Sequence, residues 1–200
     1  MICLVTLMMV AAPPSYNKRE GEQLSAVMMS AKTRLKPRQA TRLAQAVIGA
    51  GKAHNIDPLF LLALAYTESR WTRKPRPADR GRSFGLYQLT RSAARSVAYG
   101  GVFEDEPSLQ AALRSNAKQR ALLEDVWVAS QTVAAYLARL RDKYGAGADV
   151  VYNCGPSRCG RGNRRLKHTR ATRAYWRHYR TLQWRLNKVE QTQCFPTGAL

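Results

Sequence analysis

The chain has 200 residues, enough for one domain with a core of its own and short for two. Hydrophobic residues make up 45% and charged residues 23%, the mixture of a folded globular chain, which excludes wholesale disorder and the collagen-like and mucin-like classes. Against 13 Asp and Glu stand 33 Lys and Arg, a formal net charge of +20, so the partner is a polyanion or an anionic surface: nucleic acid, anionic lipid headgroups and acidic wall polymers all qualify.

In chain order, Ile2 to Ala12 is apolar except for Thr6, and its eleven residues are too few to span a bilayer comfortably as a helix. The run has the length of the apolar part of an export signal. No Lys or Arg precedes it, however, and Pro13 and Pro14 stand where a cleavage site would be, so residues 1–12 read either as a signal or as a hydrophobic leader. Every other apolar stretch is broken by charge within about 18 residues, and no stable membrane insertion of the mature domain is expected. Residues 13–36 are polar and mixed and end in Lys36-Pro37, the pattern of a tether or irregular lead-in. The domain is expected over residues 37–190, with 191–200 as a tail.

Within that domain Ala40, Leu43, Ala44, Val47 and Ile48 recur at helical spacing, the stripe of a helix with one face on a core, stopped near Gly51. Asp57 followed by Pro58 is an N-cap with Pro at the first helical position, and Leu59 to Tyr66 then runs apolar on every side. That helix should be central and buried. Arg70 to Arg82 is a basic loop with two prolines, a shorter helix is expected after Thr90, and Ser108 is positioned to cap another that carries Leu109, Ala112 and Leu113. Val126 to Tyr144 predicts a longer helix with Val133, Tyr136, Leu137 and Leu140 inward and Gly145 as its stop. A last helix, around Ala171 to Val189, has Tyr175, Tyr179, Leu182 and Leu186 on one face. No segment alternates with period two, and the chain reads as one all-α domain without internal repeats.

Charge is unevenly spread. No acid lies between Asp149 and Glu190, while eleven Lys or Arg fall between Arg158 and Lys188; with no counter-charge interleaved, this region reads as a docking surface for a polyanion. Four cysteines are present, Cys3, Cys154, Cys159 and Cys194, and Cys154 and Cys159 flank a Gly-Pro-Ser-Arg loop short enough to bridge if the backbone turns there. A zinc site recruiting His168 and His178 would need intervening stretches of eight and nine residues, which match no common ligand spacing, and neither a metal nor a cofactor is expected.

One acid stands apart from the others. Glu68 follows Ala65, Leu64 and Leu61 by three, four and seven residues, so it projects from the same face as they do, at the last turn of the most hydrophobic helix. Desolvation would raise its pKa, the negative end of the helix dipole would push the same way, and a carboxyl kept protonated near neutral pH is what a general acid requires. On this helix alone, a Glu turned outward to pair with Arg70 or Arg73 is an equal reading.

Two further motifs follow Glu68-Ser69: Gly85-Leu86-Tyr87-Gln88, seventeen residues on, and Tyr152-Asn153-Cys154-Gly155-Pro156. The ordered set resembles the lytic transglycosylases of the soluble, goose-lysozyme-like type, in which a Glu-Ser pair ends a buried helix, Gly-Leu-Met-Gln follows a loop and Tyr-Asn-Ala-Gly opens a later helix. The resemblance spans residues 40–180, and Leu122-Leu123-Glu124-Asp125 is similar to the segment before the family's long helix. Tyr87 replaces the Met and Cys154 the Ala; in an ungapped reading Asp79 and Arg82 stand where the family often has Ser and Gly, and Val128 or Ala129 where it usually has Asn.

The resemblance implies a lysozyme-like helical domain acting as a monomer on peptidoglycan glycan strands, exported to the periplasm or beyond, or carried by a virus. It implies Glu68 as catalytic acid and base, the substrate's own N-acetyl group supporting the anomeric carbon, and a 1,6-anhydro product. Ser69, Tyr87, Gln88, Tyr152 and Asn153 would form the substrate site: Gln88 through its amide, Tyr152 by orienting Glu68 or the acetamido group, Tyr87 as a flat surface for a sugar ring, with Gly85 and Gly155 letting backbone come close. The basic C-terminal region would hold anionic wall polymers. Two rivals remain: a muramidase of the same fold that uses water and a second carboxylate, for which Asp79 is the closest acid in sequence, and a basic helical nucleic-acid-binding protein.

Overall fold

The computed structural model describes residues 18–31, 35–72, 83–100, 103–159 and 170–194. The segment read from composition as an irregular lead-in holds helix α1, Lys18–Met29. Leu24, Val27 and Met28, at i, i+3 and i+4, are buried and join the core. Three apolar residues among charged neighbours suffice for a helix that leans on a tertiary partner, and they are too few to stand out as a sequence pattern. Residues 1–12 with Cys3, residues 73–82 of the basic loop, residues 160–169 with His168, and residues 195–200 of the tail lie outside the described residues.

Helix α2, Pro37–His54, buries the expected stripe from Ala40 to Ile48 and runs past Gly51. Gly51 is not a stop: a Cβ there would stand 2.5 Å from the Ile56 carbonyl oxygen, so the helix needs a residue without a side chain where the chain folds back on it. The helix ends instead at Asn55, which takes the left-handed conformation (φ 51°) that Asn tolerates and returns its N–H to the helix. Helix α3, Pro58–Ser69, is capped by Asp57, whose Oδ1 accepts from the Leu59 N–H at 2.8 Å. Leu59 and the run Leu61 to Ala65 are buried, and the helix packs between α2 and the last helix.

After α3 a two-stranded hairpin pairs β1, Ser83–Phe84, with β2, Leu89–Thr90, around a turn of residues 85–88. Strands of two residues are too short to show as alternation. Helix α4, Arg91–Tyr99, is capped by Thr90. Helix α5, Pro107–Arg114, begins at its proline, which puts Ser108 inside the first turn and not at the cap. Helix α6, Asn116–Leu123, leads into α7, Val126–Tyr144, where Asp125 accepts from the N–H groups of Trp127 and Val128 and the expected inward residues are buried.

Gly145 ends α7 at φ 56° and starts a single turn, Gly145–Gly147, before α8, Ala148–Cys154. One turn, α9 (Pro156–Cys159), follows, and a disulfide joins Cys154 to Cys159 across it. Helix α10, Arg170–Cys194, packs along α3 and α1 with Tyr175 and Leu182 buried and Tyr179 and Leu186 half-buried. The chain is therefore all-α, with α3 held between its neighbours and its C-terminal end presented beside the hairpin and α8.

Candidate active site

The end of α3 is fixed from both sides of the chain. Ser69 is buried, and its hydroxyl donates to the Ala65 carbonyl at 2.9 Å, so it closes the last turn and is turned away from the site. Arg70 and Trp71 both take left-handed backbone conformations, φ 55° and 59°. Such conformations cost on the order of 1–2 kcal/mol per non-glycine residue and persist only where their surroundings hold them. Trp71 is the holder: its ring is buried, its Nε1–H donates to the Leu62 carbonyl at 2.9 Å, and it lies against Tyr66. The sharp turn leaves Glu68 half-buried at the helix end.

Glu68 Oε1 accepts a hydrogen bond from the Tyr175 hydroxyl of α10 at 2.5 Å. Burial pushes the Glu68 carboxyl above its ordinary range, and the Tyr175 bond pulls it partly back. Tyr175 is itself raised, by burial first and then by the Glu68 charge and hydrogen bond. Asn153 of α8, exposed, donates through Nδ2 to the Tyr175 oxygen at 3.4 Å, so α3, α8 and α10 meet at one hydroxyl. Sequence reasoning counted Tyr175 only among the apolar residues of the last helix; the phenol oxygen on that face was its one signal.

The hairpin motif and the α8 motif are joined as well. Tyr152 donates its hydroxyl to the Tyr87 carbonyl at 2.7 Å, and burial holds its phenol well above the usual range, with the Glu68 charge pushing the same way. Tyr152 thus stands near Glu68 but spends its proton on the hairpin. Tyr87 departs from expectation: its ring is fully buried and its hydroxyl pairs with Ser130 of α7 at 3.1 Å, so it offers no surface to a sugar. The turn decides this. Gly85 has φ 69° and Gln88 φ 49°, and between them the chain directs Leu86 and Tyr87 into the core. Gln88, half-buried, donates its Nε2–H to the Gly85 carbonyl at 3.0 Å and so braces its own turn.

Gly85 does let backbone come close, because a Cβ there would lie 1.8 Å from the Leu123 carbonyl oxygen. At Gly155, among the described residues and apart from its own chain neighbours, no atom comes within 4 Å of such a Cβ, and what the glycine supplies is a positive φ of 81° after α8. Tyr152 and Asn153 accordingly close a helix and do not open one, since Gly155 breaks the chain before α9.

Glu68 does not line the hollow of about 550 Å³ formed by α3, α7, α8 and α10, whose walls include Asp57, Phe60, Asp149, Trp176 and Tyr179. Asp149 is buried there, accepting from Trp176 Nε1–H at 2.7 Å and from the Val150 N–H at 2.8 Å. Tyr179 donates to Asp57 Oδ2 at 2.7 Å, which with burial raises its phenol to about 12. Both carboxylates serve this aromatic wall and the helix starts beneath it. Asp79 lies outside the described residues. Among the described residues no group of His, Cys, Asp and Glu is placed to hold a metal ion, and no helix is long and apolar enough to cross a membrane.

The transglycosylase SLT domain family matches residues 45–174, a span that contains Glu68, the hairpin turn and Tyr152 and stops one residue before Tyr175. No curated protein and no solved structure matches the chain. With well over half its length inside the match and a lysozyme-like helical domain that carries Glu68 in the last turn of its buried helix, the chain belongs to the SLT transglycosylase family, whose members act on peptidoglycan and therefore outside the cytoplasmic membrane.

Proposed function

We propose that the protein cleaves the bond between N-acetylmuramic acid and N-acetylglucosamine without water, leaving a 1,6-anhydro-N-acetylmuramic end, with Glu68 serving as acid and then as base. The observation that carries this is a single carboxyl at the end of an apolar helix, raised in pKa by burial and gripped by a phenol. A carboxyl in that setting keeps its proton to higher pH than a solvated one and can deliver it. With Oε1 accepting from Tyr175, Oε2 is the oxygen left to carry the transferable proton.

Glu68 gives that proton to the bridging oxygen as the bond from it to the anomeric carbon breaks. The substrate's acetamido oxygen supports the electron-poor carbon. The Glu68 carboxylate then takes the proton of the 6-hydroxyl while that oxygen bonds to the anomeric carbon, which closes the anhydro ring and restores the acid. Asn153, whose amide meets the Tyr175 hydroxyl that holds Glu68, and Gln88 of the hairpin turn are amides of a kind that suits the N-acetyl group. A net charge of +20 suits a polymer made anionic by its stem-peptide carboxylates.

The reading is tested with purified sacculi. Mass spectrometry of the released fragments should find anhydro-muramic ends, each one water lighter than a hydrolysis product. Glu68→Gln, close in shape but unable to act as an acid, should reduce release on the order of a hundredfold or more while the variant stays folded. Undiminished turnover by the folded variant would remove Glu68 from the reaction.

A further inference from the structure

Helix α10 has two faces with different chemistry. At about 100° per residue, Arg170, Arg173, Arg177, Arg180, Trp184 and Lys188 all fall within roughly 40° of the direction opposite Tyr175. All six are exposed, Trp184 at 60%. The stripe extends about 27 Å along the axis, with neighbouring arginines about 4.5–6 Å apart in rise. Arg185, the one other cation of the helix, is off the stripe and donates to Ser30 Oγ. The only acid of α10 is Glu190, near its end. Lys188 Nζ lies over the Trp184 ring, 5.2 Å from its centroid.

This face cannot hold the strand being cut. The inner face of the same helix carries Tyr175 to Glu68, and a helix with its side chains is about 10–12 Å thick. A ligand on the stripe is therefore set apart from whatever occupies the Glu68 site by about that distance. Evenly spaced guanidinium groups fit carboxylates repeated along a chain, and an exposed indole between the cations offers a flat apolar face to a pyranose ring. Peptidoglycan supplies both features, and its strands are cross-linked side by side, so a neighbour is within reach whenever one strand is engaged.

We infer that the outward stripe of α10 binds a second peptidoglycan strand through its stem-peptide carboxylates while a first strand occupies the Glu68 site. The inference rests on the substrate reading above and adds a surface to it. It assigns the stripe to holding the enzyme on the wall and not to chemistry.

The experiment uses the full chain. Sacculus binding is measured in the Glu68→Gln background, where nothing is cut, with and without the combined substitutions Arg170→Gln, Arg173→Gln, Arg177→Gln and Arg180→Gln. Cleavage is measured in the otherwise wild-type chain, on intact sacculi and on short soluble strands free of cross-links. The four substitutions should weaken sacculus binding on the order of tenfold or more near 0.1 M salt, flatten its dependence on salt and slow release from sacculi. Cleavage of soluble strands should stay within about twofold, and four Arg→Lys changes should retain most of the binding.

Unchanged sacculus binding overturns the inference, as does an equal loss of cleavage on soluble strands, which would put the stripe in the cleft. Duplex DNA or vesicles rich in anionic lipid, held through these arginines more tightly than sacculi at physiological salt, would overturn it in favour of another partner. A wild type that releases nothing from either substrate, while the stripe still governs sacculus binding, would overturn the reaction and uphold the surface.

Discussion

The group that touches Glu68 is a hydroxyl from another helix and not a second acid. Tyr175 fixes Oε1 and lowers a pKa that burial has raised, so its removal should move orientation and acidity together. In the proposed reaction the acid works only while protonated, so the rate should fall as pH rises through the Glu68 pKa. Tyr175→Phe deletes a bond that favours the charged form, which raises that pKa, so the alkaline limb of the pH–rate profile should move to higher pH. The maximum rate should fall on the order of tenfold to a hundredfold because the carboxyl is no longer held. An unmoved limb with full activity would mean that the bond is only structural. Glu68 drew notice in the sequence as an acid among Leu and Ala at a helix end, but that helix alone left an outward ion pair as an equal reading, and the two motifs that follow it in order singled it out. Tyr175 was not legible, since a tyrosine on an apolar face reads as core until the helix opposite is known. Tyr87 misled for the related reason that the direction of a side chain in a turn depends on backbone signs that composition does not carry.

Elements marked by local caps and apolar periodicity were readable, the nine-residue α4 after Thr90 among them, and those that depend on distant contacts were not. Asp57-Pro58 and the span from Val126 to Gly145 set helix ends by cap chemistry that acts within a few residues, and the structure starts α3 at Pro58 and carries α7 over Val126–Tyr144. The start of α5, the extension of α2 past Gly51 and the presence of α1 depend on contacts with distant segments, which local pattern does not contain. The hairpin turn is the element on which the site depends most. Its Gly85 needs both a positive φ and the absence of a Cβ, with the Leu123 carbonyl 1.8 Å from where that carbon would be. Backbone cannot yield there as a flexible side chain does. Gly85→Ala should therefore cost roughly 3 kcal/mol or more of stability in denaturant unfolding. Gly155→Ala meets only the conformational penalty, about 1–2 kcal/mol. Equal losses for the two would show that Gly85 is held by conformation alone.

At the scale of the whole molecule, 13 acids are distributed among 33 bases, and the reaction class turns on whether any acid besides Glu68 serves it. A hydrolase of this fold needs a second carboxylate to activate water, and two candidates have an argument in their favour. Asp79 is close to Glu68 in sequence and has Arg76, Arg80 and Arg82 as near neighbours in the chain, counter-charges that are reason enough for an acid there. Asp149 is buried and contributes to the electrostatics of Tyr175, yet its two oxygens are taken up by Trp176 and by the backbone of its own helix. Asp149 therefore lacks the open address of a base. Asp79→Asn should leave the rate and the anhydro product as they are. Asp149→Asn can keep only one of two acceptor bonds, so it should lose about 1–3 kcal/mol of stability, while the fragments made by the folded fraction still end in 1,6-anhydro-N-acetylmuramic acid. Reducing muramic ends in the wild-type digest, together with loss of release in either variant at full folding, would make the enzyme a two-carboxylate muramidase; the helical domain and the Glu68–Tyr175 pair would stand, and the carboxylate at fault would be the partner that activates water.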